Sequence, residues 1–424
     1  MRTLIFFPLS FAIATGAFAD IAVTIEEVLP QIVDIRHTIH ANPELSNREF
    51  ETSKLVAEHL RELGIEVETG IAHTGVIGIL KGGKPGPLVA IRADMDALPV
   101  TEDTGLPFAS TIRSEYLGQD VGVMHACGHD IHTSVQLGVA SALAANRDDI
   151  AGSVLFVFQP AEEGAPPGEQ GGASMMLDEG LFEKYRPQAI FALHSFPDMG
   201  VGEVGYSVGP AFASSDTIEI KLKGKQAHGA WPHLSVDPIV MASQVVLAFQ
   251  TIRSRTMNPL DPGVVTIGMI NGGERHNIIP SEVTMRGTVR TYDPANQDII
   301  EARMKAILDG VTQAAGGSHE FVYDRGNPVT YNNVALAEWG GEVLVSELGV
   351  DNVSQIPPVM GAEDFAFFAR EVPGFYFRLG VEKSGTESGG LHTPTLRADD
   401  GSIEIGIRAM ARLVIEYLNQ QPQT

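Results

Sequence analysis

The sequence is poor in cysteine and in basic residues, and both shortages exclude classes of protein. A single cysteine among 424 residues rules out a disulfide framework within the chain. Lysine and arginine number 29 against 53 aspartate and glutamate residues, which gives a net charge of −24. Nucleic acids and anionic membranes need a basic footprint, so neither is an expected partner. The phosphate-binding pattern GxxxxGK[ST] does not occur, which argues against nucleotide use.

Long hydrophobic runs are lacking beyond the N-terminus. At the N-terminus, Arg2 precedes a mostly apolar run over Leu4–Ala14, and Ala17-Phe18-Ala19 offers a small-x-small cleavage site. The run is too short for a permanent transmembrane helix, and no later stretch approaches that length. We expect residues 1–19 to be a signal peptide cleaved after Ala19, and the mature protein to be periplasmic or secreted without membrane contact. A buried N-terminal helix is the alternative.

Strands that alternate with helices predict an α/β domain with a mostly parallel central sheet covered on both faces. The predicted strands are Gly75–Leu80, Leu88–Asp94, Val154–Gln159, Ala189–His194, Glu203–Val208 and, near the end, Phe375–Leu379. The predicted helices begin near Thr24, at a capping box over residues 46–49, and at Ser134, Val334 and Ile403.

Between about Ser214 and Arg325 the pattern changes to β-α-β-β-α-β, the order of a ferredoxin-like module. Its predicted elements are Thr217–Leu222, Pro238–Arg253, Val264–Ile270, Val283–Thr291, Gln297–Ala315 and Glu320–Tyr323. We therefore predict a catalytic domain in two parts, residues 20–213 and 327–424, interrupted by an inserted domain over residues 214–326.

The densest polar stretch is Met124–His132, which holds the only cysteine, three histidines and an aspartate. In an extended segment, residues two apart point to the same face, so Cys127 and His129 are expected to converge on one metal ion. A lone cysteine is otherwise most often a buried packing residue. The surrounding histidines favour a metal site.

Further candidate ligands follow predicted strands or glycine-rich loops. Glu162 and Glu163 come directly after a buried strand, where ligands bind in α/β sheets. Two adjacent carboxylates leaving a strand are expected to point opposite ways, one to a metal and one to the substrate as a base. His194 ends another strand, and His392 lies in a glycine-rich loop. With Cys127, these side chains form a donor set suited to borderline divalent ions.

Six stretches together resemble the M20 metallopeptidase family. They are Arg92–Pro99, Met124–His132, Gln159–Gly164, Ala227–Pro232, Gly361–Phe365 and Leu391–Pro394. The resemblance covers nearly the whole chain after residue 19, in the family's order and spacing. It is to the amidohydrolase branch, which includes hippurate hydrolases, N-acyl-amino-acid amidohydrolases and auxin-conjugate hydrolases.

The resemblance implies a role for each matched residue. The implied ligands of a pair of divalent metal ions are Cys127, His129, Glu163, His194 and His392. Glu162 matches the general base, and His228 matches a lid histidine that reaches an active site, often that of another subunit. Asn277 and Arg290 match lid residues that hold a substrate carboxylate. Cys127 stands where many relatives use a bridging aspartate.

The implied activity is metal-dependent hydrolysis of the amide bond of an N-acyl amino acid. The metal remains open among zinc, manganese, nickel and cobalt, since affinity order alone does not decide it. The inserted domain would act as a lid and join subunits into a dimer or tetramer. A dipeptidase or carboxypeptidase of the same family is the alternative, and a non-catalytic binding protein is a third. The adjacent pair Glu162 and Glu163 argues against the third, because binding needs only one of these carboxylates.

Overall fold

The computed structural model describes residues 14–420 of the chain. The predicted n-region and most of the apolar run of the signal peptide lie outside these residues, so its cleavage stays a prediction. The chain splits into two compact units. The first comprises the chain through Gly209 together with Asn332–Pro357 and the chain from Phe367 onward. The second comprises Pro210–Tyr331 and Pro358–Ala366, a segment that the predicted boundaries had assigned to the catalytic domain.

The first part of the first unit alternates helices with strands. Its helices are α1 (Ala14–Ala41), α2 (Phe50–Glu62), α3 (His129–Ala145), α4 (Gly172–Asp178) and α5 (Leu181–Tyr185). Its strands are β1 (Glu66–Ile71), β2 (Gly75–Lys81), β3 (Lys84–Asp94), β4 (Arg113–Tyr116), β5 (Gln119–Gly122), β6 (Ala151–Gln159), β7 (Ile190–Gly200) and β8 (Val204–Tyr206).

The rest of the chain contains the second unit and the return to the first. The next elements are β9 (Gly209–Phe212), β10 (Ser215–Lys223), β11 (Ala227–His228), α6 (Pro238–Thr251), β12 (Gly263–Gly272), β13 (Ile278–Ile279), β14 (Glu282–Thr291), α7 (Pro294–Ala315), β15 (Ser318–Asn327) and β16 (Thr330–Asn332). The last elements are α8 (Val334–Leu348), β17 (Val353–Gln355), α9 (Phe365–Glu371), β18 (Gly374–Glu382) and α10 (Gly401–Gln420).

An eight-stranded sheet with the order β1-β2-β6-β3-β7-β18-β8-β17 forms the centre of the first unit. Strands β6, β3, β7 and β18 run parallel, whereas β1, β2 and β8 have antiparallel neighbours. The prediction of a mostly parallel sheet is therefore wrong at its edges, and the sheet is mixed. The β1–β2 connection shows why, because only antiparallel strands can be joined by so short a turn.

Both faces of the central strands are buried, as a covered sheet requires. On β6, Val154, Phe156 and Phe158 point to one face, and the intervening Leu155 and Val157 are equally buried. Helix α3 packs between α1 and α10 on the sheet, while α2 covers β1 and β2. This layering holds the carboxyl ends of the parallel strands at one edge of a rigid core.

The start of α2 differs from the prediction. The expected capping box at residues 46–49 is wrong, because α2 begins after these residues and its first-turn N–H group at Thr52 donates to the Glu44 carboxylate at 2.9 Å. Ser46 instead donates to Asp96 Oδ2 at 2.8 Å. A second difference is α1, which already begins at Ala14 rather than near Thr24.

The four long strands and the two helices of the second unit follow the predicted β-α-β-β-α-β order, and the short strands β11 and β13 were not predicted. Its four-stranded sheet is antiparallel throughout, with the order β12-β14-β10-β15. Asp237 and Asp293 cap α6 and α7 with their carboxylates, and a proline follows each cap. Buried residues of β10, such as Ile218 and Ile220, pack with buried residues of both helices in a separate core. The predicted helix to Arg253 ends at Thr251 and continues as a π-helical turn over Ile252–Thr256.

Within residues 14–420, no helix has the length and apolar character needed to cross a membrane.

Candidate metal centre

The candidate centre lies in the first unit, at the carboxyl ends of neighbouring parallel strands. Asp94 ends β3 opposite Gln159, the last residue of β6, and His194 lies on β7, the other neighbour of β3. Side chains at the carboxyl ends of adjacent parallel strands meet at one edge, where α/β proteins bind their ligands. The edge is completed by the N-terminus of α3 and by the loop that carries His392.

Cys127 lies at the middle of the cluster. Its Sγ is 3.4 Å from His194 Nε2 and 3.3 Å from His392 Nε2. Two of the groups of three residues with donor atoms within 4.8 Å of one another contain the thiol: Cys127 with His129 and His194, and Cys127 with Glu163 and His392. All five predicted ligands therefore come together, and the thiol belongs to both groups.

The local backbone at Cys127 differs from the extended segment that was predicted. Cys127 lies in a turn, Gly128 adopts a left-handed conformation with φ of 82°, and His129 is the first residue of α3. A side chain at Gly128 would also collide with Ser195 Oγ. The convergence of Cys127 and His129 thus results from a turn into a helix, which only glycine permits at this position.

Glu162 and Glu163 lie in a turn directly after β6. Glu163 Oε1 is 3.0 Å from His392 Nε2, and Glu162 Oε2 is 3.9 Å from His129 Nε2. The two carboxylates and His129 also form a group with donor atoms within 4.8 Å. The expectation that they point opposite ways is wrong, because it assumed strand geometry and the turn aims both toward the same centre.

The histidine rings are oriented so that one nitrogen of each faces the cluster. His129 Nδ1 lies 3.2 Å from Asp96 Oδ1, and His194 Nδ1 donates to the Ser195 carbonyl at 2.8 Å. Among the described residues, His129 Nε2 is buried and has no hydrogen-bond partner. A histidine that gives its Nδ1 proton to an acceptor presents the lone pair of Nε2, which is the arrangement of metal-binding histidines.

The electrostatics of the cluster favour the binding of a cation. Burial raises the pKa of the Cys127 thiol, and the Glu163 and Glu162 carboxylates raise it further. Burial lowers the pKa of His129, but Asp94 and Asp96 outweigh it and raise the pKa to about 10. Such a group of buried acids needs positive charge nearby. The thiolate, imidazole and carboxylate donors fit a pair of borderline divalent ions.

Two buried aspartates support the cluster from outside. Asp94 accepts from Arg92 at 2.7 Å and from His132 Nδ1 at 2.6 Å, and the Ser195 N–H donates to His132 Nε2. His132 thereby links the end of β3 to the backbone of β7 beside the cluster. Asp96 is a residue that sequence reasoning missed, although it follows Asp94 by two positions at the end of a strand.

Asp96 connects three elements around the candidate ligands. Besides His129, it accepts from the Ser46 hydroxyl at 2.8 Å and from the Glu163 N–H at 3.0 Å. The carboxylate thereby fixes one candidate histidine ligand and one candidate carboxylate ligand at the same time. Asp96 follows Asp94, the last residue of β3, by two positions, and this spacing is the signal that could have identified it.

A second polar network lies behind α3. Asp130, the neighbour of His129, pairs with Arg36 Nε at 2.7 Å and with His40 Nδ1 at 2.9 Å, and His40 Nε2 lies 3.2 Å from Glu102. Burial lowers the pKa of His40, but Asp130 and Glu102 outweigh it and raise the pKa to about 9. The network ties α1 to the first turn of α3.

Three predicted site residues belong to the second unit. His228 on β11 pairs with Ile278 on β13, directly after Asn277, and the Gly229 N–H donates to the Asn277 carbonyl at 2.8 Å. His228 is exposed, and its Nδ1 accepts from the Ala230 N–H at 3.0 Å. A neutral His228 therefore carries its proton on Nε2.

Arg290 lies on β14, opposite Val264 of β12, and is half-buried. Among the described residues, no carboxylate lies within ion-pair distance of its guanidinium. Burial lowers the pKa of Arg290, and the charge of Asp216 opposes that shift. Asp216 itself accepts hydrogen bonds from Gln297 and Tyr323. The structure thus brings His228 on β11 close to Asn277, which directly precedes β13, and places Arg290 on the main sheet of the unit.

Comparisons with known proteins agree with this geometry. Residues 90–416 match the family described as peptidase family M20/M25/M40. The chain is 38% identical over 400 residues to thermostable carboxypeptidase 2 of Saccharolobus solfataricus, covering 93% of this chain and 98% of that protein. It is 37% identical over 376 residues to the N-acetyl-L-cysteine deacetylase of Bacillus subtilis, covering 88% and 85% of the two chains.

A solved structure of a protein from the M20 family is also similar to this chain. A Bacillus subtilis protein described as a dinuclear metal-binding peptidase of the M20 family superposes with a TM-score of 0.79 at 33% identity. The superposition covers 93% of this chain and 100% of the Bacillus subtilis chain. The fold, the matched family region and the cluster at the strand ends are thus consistent with an enzyme that hydrolyses amide bonds. The chain belongs to peptidase family M20/M25/M40.

Proposed function

We propose that the chain is a metal-dependent amidohydrolase that cleaves the amide bond of N-acyl amino acids into a carboxylic acid and a free amino acid. The observation that carries the proposal is the cluster around Cys127, in which five metal-binding donors meet and a further carboxylate, Glu162, lies beside them. The similarity to a protein named N-acetyl-L-cysteine deacetylase supports the same substrate class.

Two divalent metal ions are the proposed cofactors, and zinc, manganese, nickel or cobalt would suit the donors. One ion would be held by Cys127, His129 and His194, and the other by Cys127, Glu163 and His392. Bound there, the ions supply Lewis acidity, which lowers the pKa of water and polarises the amide carbonyl.

Glu162 is the proposed general base. Its side chain is almost buried, with 8% exposed, and its Oε2 lies near His129 without belonging to either of the groups that share Cys127. A carboxylate in this position accepts the proton of the attacking water and passes it to the leaving amine. Positioned proton transfer of this kind contributes roughly 10²–10⁴-fold to a rate.

The second unit is the proposed lid, of the ferredoxin-like type. The Nε2–H of His228 is free to donate to the oxyanion that develops on the amide carbonyl, a contribution of about 3 kcal/mol for one donor. Arg290 would bind the α-carboxylate of the amino acid through two parallel N–H bonds, with Asn277 as a second polar contact.

Assembly through the second unit into a dimer or tetramer is also proposed. Strand β12 is an edge strand, and it exposes 51% of Met269 and 52% of Ile270. Leu247 on α6 is 72% exposed. An unpaired strand edge beside exposed apolar side chains is a surface that another copy of the same chain can cover.

Export to the periplasm or the medium is proposed from the sequence of residues 1–19 alone. N-terminal sequencing of the protein from the medium or the periplasm of cells expressing the full chain would test it. We expect the mature chain to begin at Asp20, and an unprocessed cytoplasmic protein would contradict export.

A dipeptidase or carboxypeptidase is the second candidate function, since the chain is equally similar to a protein named carboxypeptidase. Metal-loaded protein should be incubated with N-acyl amino acids and with dipeptides that share the same C-terminal residue. We expect a higher kcat/KM for the N-acyl compounds. A preference for the dipeptides would favour the second candidate, and binding without turnover of either would favour a binding protein.

A further inference from the structure

A cavity of about 430 Å³ lies in the first unit, directly beside Glu163. Its volume is in the range of pockets that bind small molecules. The apolar part of its wall includes Leu45, Leu98, Pro99, Tyr116, Leu117 and Pro166. Because Glu163 is one of the candidate metal ligands, this cavity adjoins the site of the proposed reaction.

One wall of the cavity is held by backbone hydrogen bonds to the segment that carries Cys127 of the candidate metal centre. Leu98 exchanges two backbone hydrogen bonds with Met124, at 3.0 and 3.1 Å, just before Cys127. Leu45 packs in a small buried cluster with Ala97 and Val123. This wall therefore keeps its position relative to the candidate ligands.

The other wall is the tip of the β4–β5 hairpin. Leu117 and Gly118 form a two-residue turn in which both residues have positive φ, 52° and 75°. Leucine is unusual in such a turn, which favours asparagine and glycine. Leu117 is 67% exposed and Tyr116 is 36% exposed. Two large apolar side chains at an exposed tip that lines a cavity indicate an apolar ligand.

The charged side chains that line the cavity disfavour a carboxylate. Arg48 is the one basic residue among those lining it, and its guanidinium forms a two-point ion pair with Glu169, at 2.6 and 3.0 Å. Glu115 and Glu163 are the other charged lining residues. With Glu163 engaged by the proposed metal ion, the α-carboxylate of an N-acyl amino acid would find no unpaired basic side chain among the lining residues and would face Glu115.

We propose that this cavity binds the acyl group of the substrate, and that it selects acyl groups that are neutral, apolar and larger than acetyl. The inference rests on the proposed function, because it assumes that an N-acyl amino acid is hydrolysed beside Glu163. The amide carbonyl joins the two halves of the substrate. Since Arg290 is the proposed partner of the carboxylate and the cavity offers no unpaired basic side chain, the acyl half is the part that fits this apolar cavity.

The experiment is a chain-length series on one amino acid. N-acetyl-, N-butanoyl-, N-hexanoyl- and N-octanoylalanine are compared with N-succinylalanine, using the metal-loaded full chain. Burial of each added methylene should raise kcat/KM about three- to fourfold until the cavity is filled. Succinyl differs from butanoyl by a terminal carboxylate, and it should react at least tenfold more slowly.

The variant Leu117→Asn tests the hairpin wall. Asparagine tolerates the left-handed backbone of this turn, so the hairpin should be retained. We expect kcat/KM for the octanoyl substrate to fall about tenfold, mainly through KM, and kcat/KM for the acetyl substrate to be unchanged. Val350→Ser, at an apolar residue 72% exposed in the same unit but outside the cavity lining, is the matched control and should change neither.

The outcomes separate the two proposals. Hydrolysis of the acetyl compound with no gain along the series, or an equal loss on all substrates in Leu117→Asn, would overturn the acyl cavity and leave the proposed function intact. Succinyl reacting as fast as butanoyl would overturn the selection for neutral groups. A metal-loaded protein that hydrolyses no member of the series would contradict the proposed function, and the acyl assignment with it.

Discussion

The two units hold their predicted site residues in opposite ways. Around Cys127 in the first unit, Cys127, His129 and His194 are buried, and His129 is held by its contact with Asp96, although His392 is exposed. In the second unit, His228 is exposed, and Arg290 has no ion pair among the described residues. The first arrangement is organised before any ligand arrives, whereas in our proposal the second would gain its partner from a substrate carboxylate or oxyanion.

This difference has an energetic reason. Buried carboxylates such as Asp94 and Asp96 cost several kcal/mol each unless cations and donors compensate them, so their geometry must be set during folding. An arginine that remains partly hydrated bears little of that cost and can exchange water for a ligand. Changes in the first unit should therefore affect metal binding and stability, and changes in the second should affect substrate selection.

The largest effect is expected at Glu162, the proposed general base. Glu162→Gln should lower kcat by about 10²-fold or more while metal content and fold are retained, because the amide cannot accept the proton. Glu163→Gln is the matched control, and it should lose metal instead. Metal analysis and kinetics on both variants check this. Equal metal loss, with the same residual activity per bound ion, would show that the two carboxylates share one role.

The next effect concerns stability and pH in the network behind α3. The pKa of His40 is raised to about 9 in the folded protein, against about 6.5 for an unfolded histidine. Its ion pairs with Asp130 and Glu102 should therefore stabilise the fold fully below pH 6.5, by about 3 kcal/mol, and progressively less as the pH rises through 9.

Urea unfolding of the wild type and of His40→Gln at pH 6 and pH 9.5 measures this effect. The difference in unfolding free energy between the two proteins should shrink at the higher pH. The same difference at both pH values would mean that His40 is not charged in the folded protein.

A smaller effect is expected at the outer carboxylate. Asp96→Asn should weaken metal affinity about 10- to 100-fold, since Asp96 orients His129 and the backbone of Glu163 together. Ser46→Ala removes one hydrogen bond to Asp96 and serves as the milder control. Competition with a chromogenic chelator gives both affinities. Unchanged affinity in Asp96→Asn would show that the ligands hold their positions without it.

The smallest effect is expected in the second unit. Arg290→Lys should lower kcat/KM about tenfold for an N-acyl amino acid, because lysine lacks the two-point geometry of the guanidinium. The matching amide, already a poor substrate, should lose much less. Kinetics on one acid–amide pair decides the point, and an equal loss on both would assign Arg290 a structural role. Metal content should be unchanged in either case.

The sequence predicted the α/β architecture and the five residues that meet around Cys127, because strand ends and motif spacing carry that information locally. It did not predict the role of Asp96, since a hydrogen bond to His129 depends on how β3 and α3 pack. It was wrong about Ser46 because its pattern matched a capping box, while the tertiary partner Asp96 took the hydroxyl. The predicted direction of the Glu162 side chain was wrong, because Glu162 lies in a turn and not in an extended strand.

The central claim is that the cluster around Cys127 is a dinuclear metal centre on which hydrolysis depends. Titration of metal into metal-free protein, with bound metal and hydrolysis of an N-acyl amino acid measured in the same sample, tests it most directly. We expect activity to rise with occupancy and saturate at two ions per chain, and Cys127→Ser to weaken binding of both ions. Full activity in metal-free protein, or unchanged binding of two ions by Cys127→Ser, would contradict the claim.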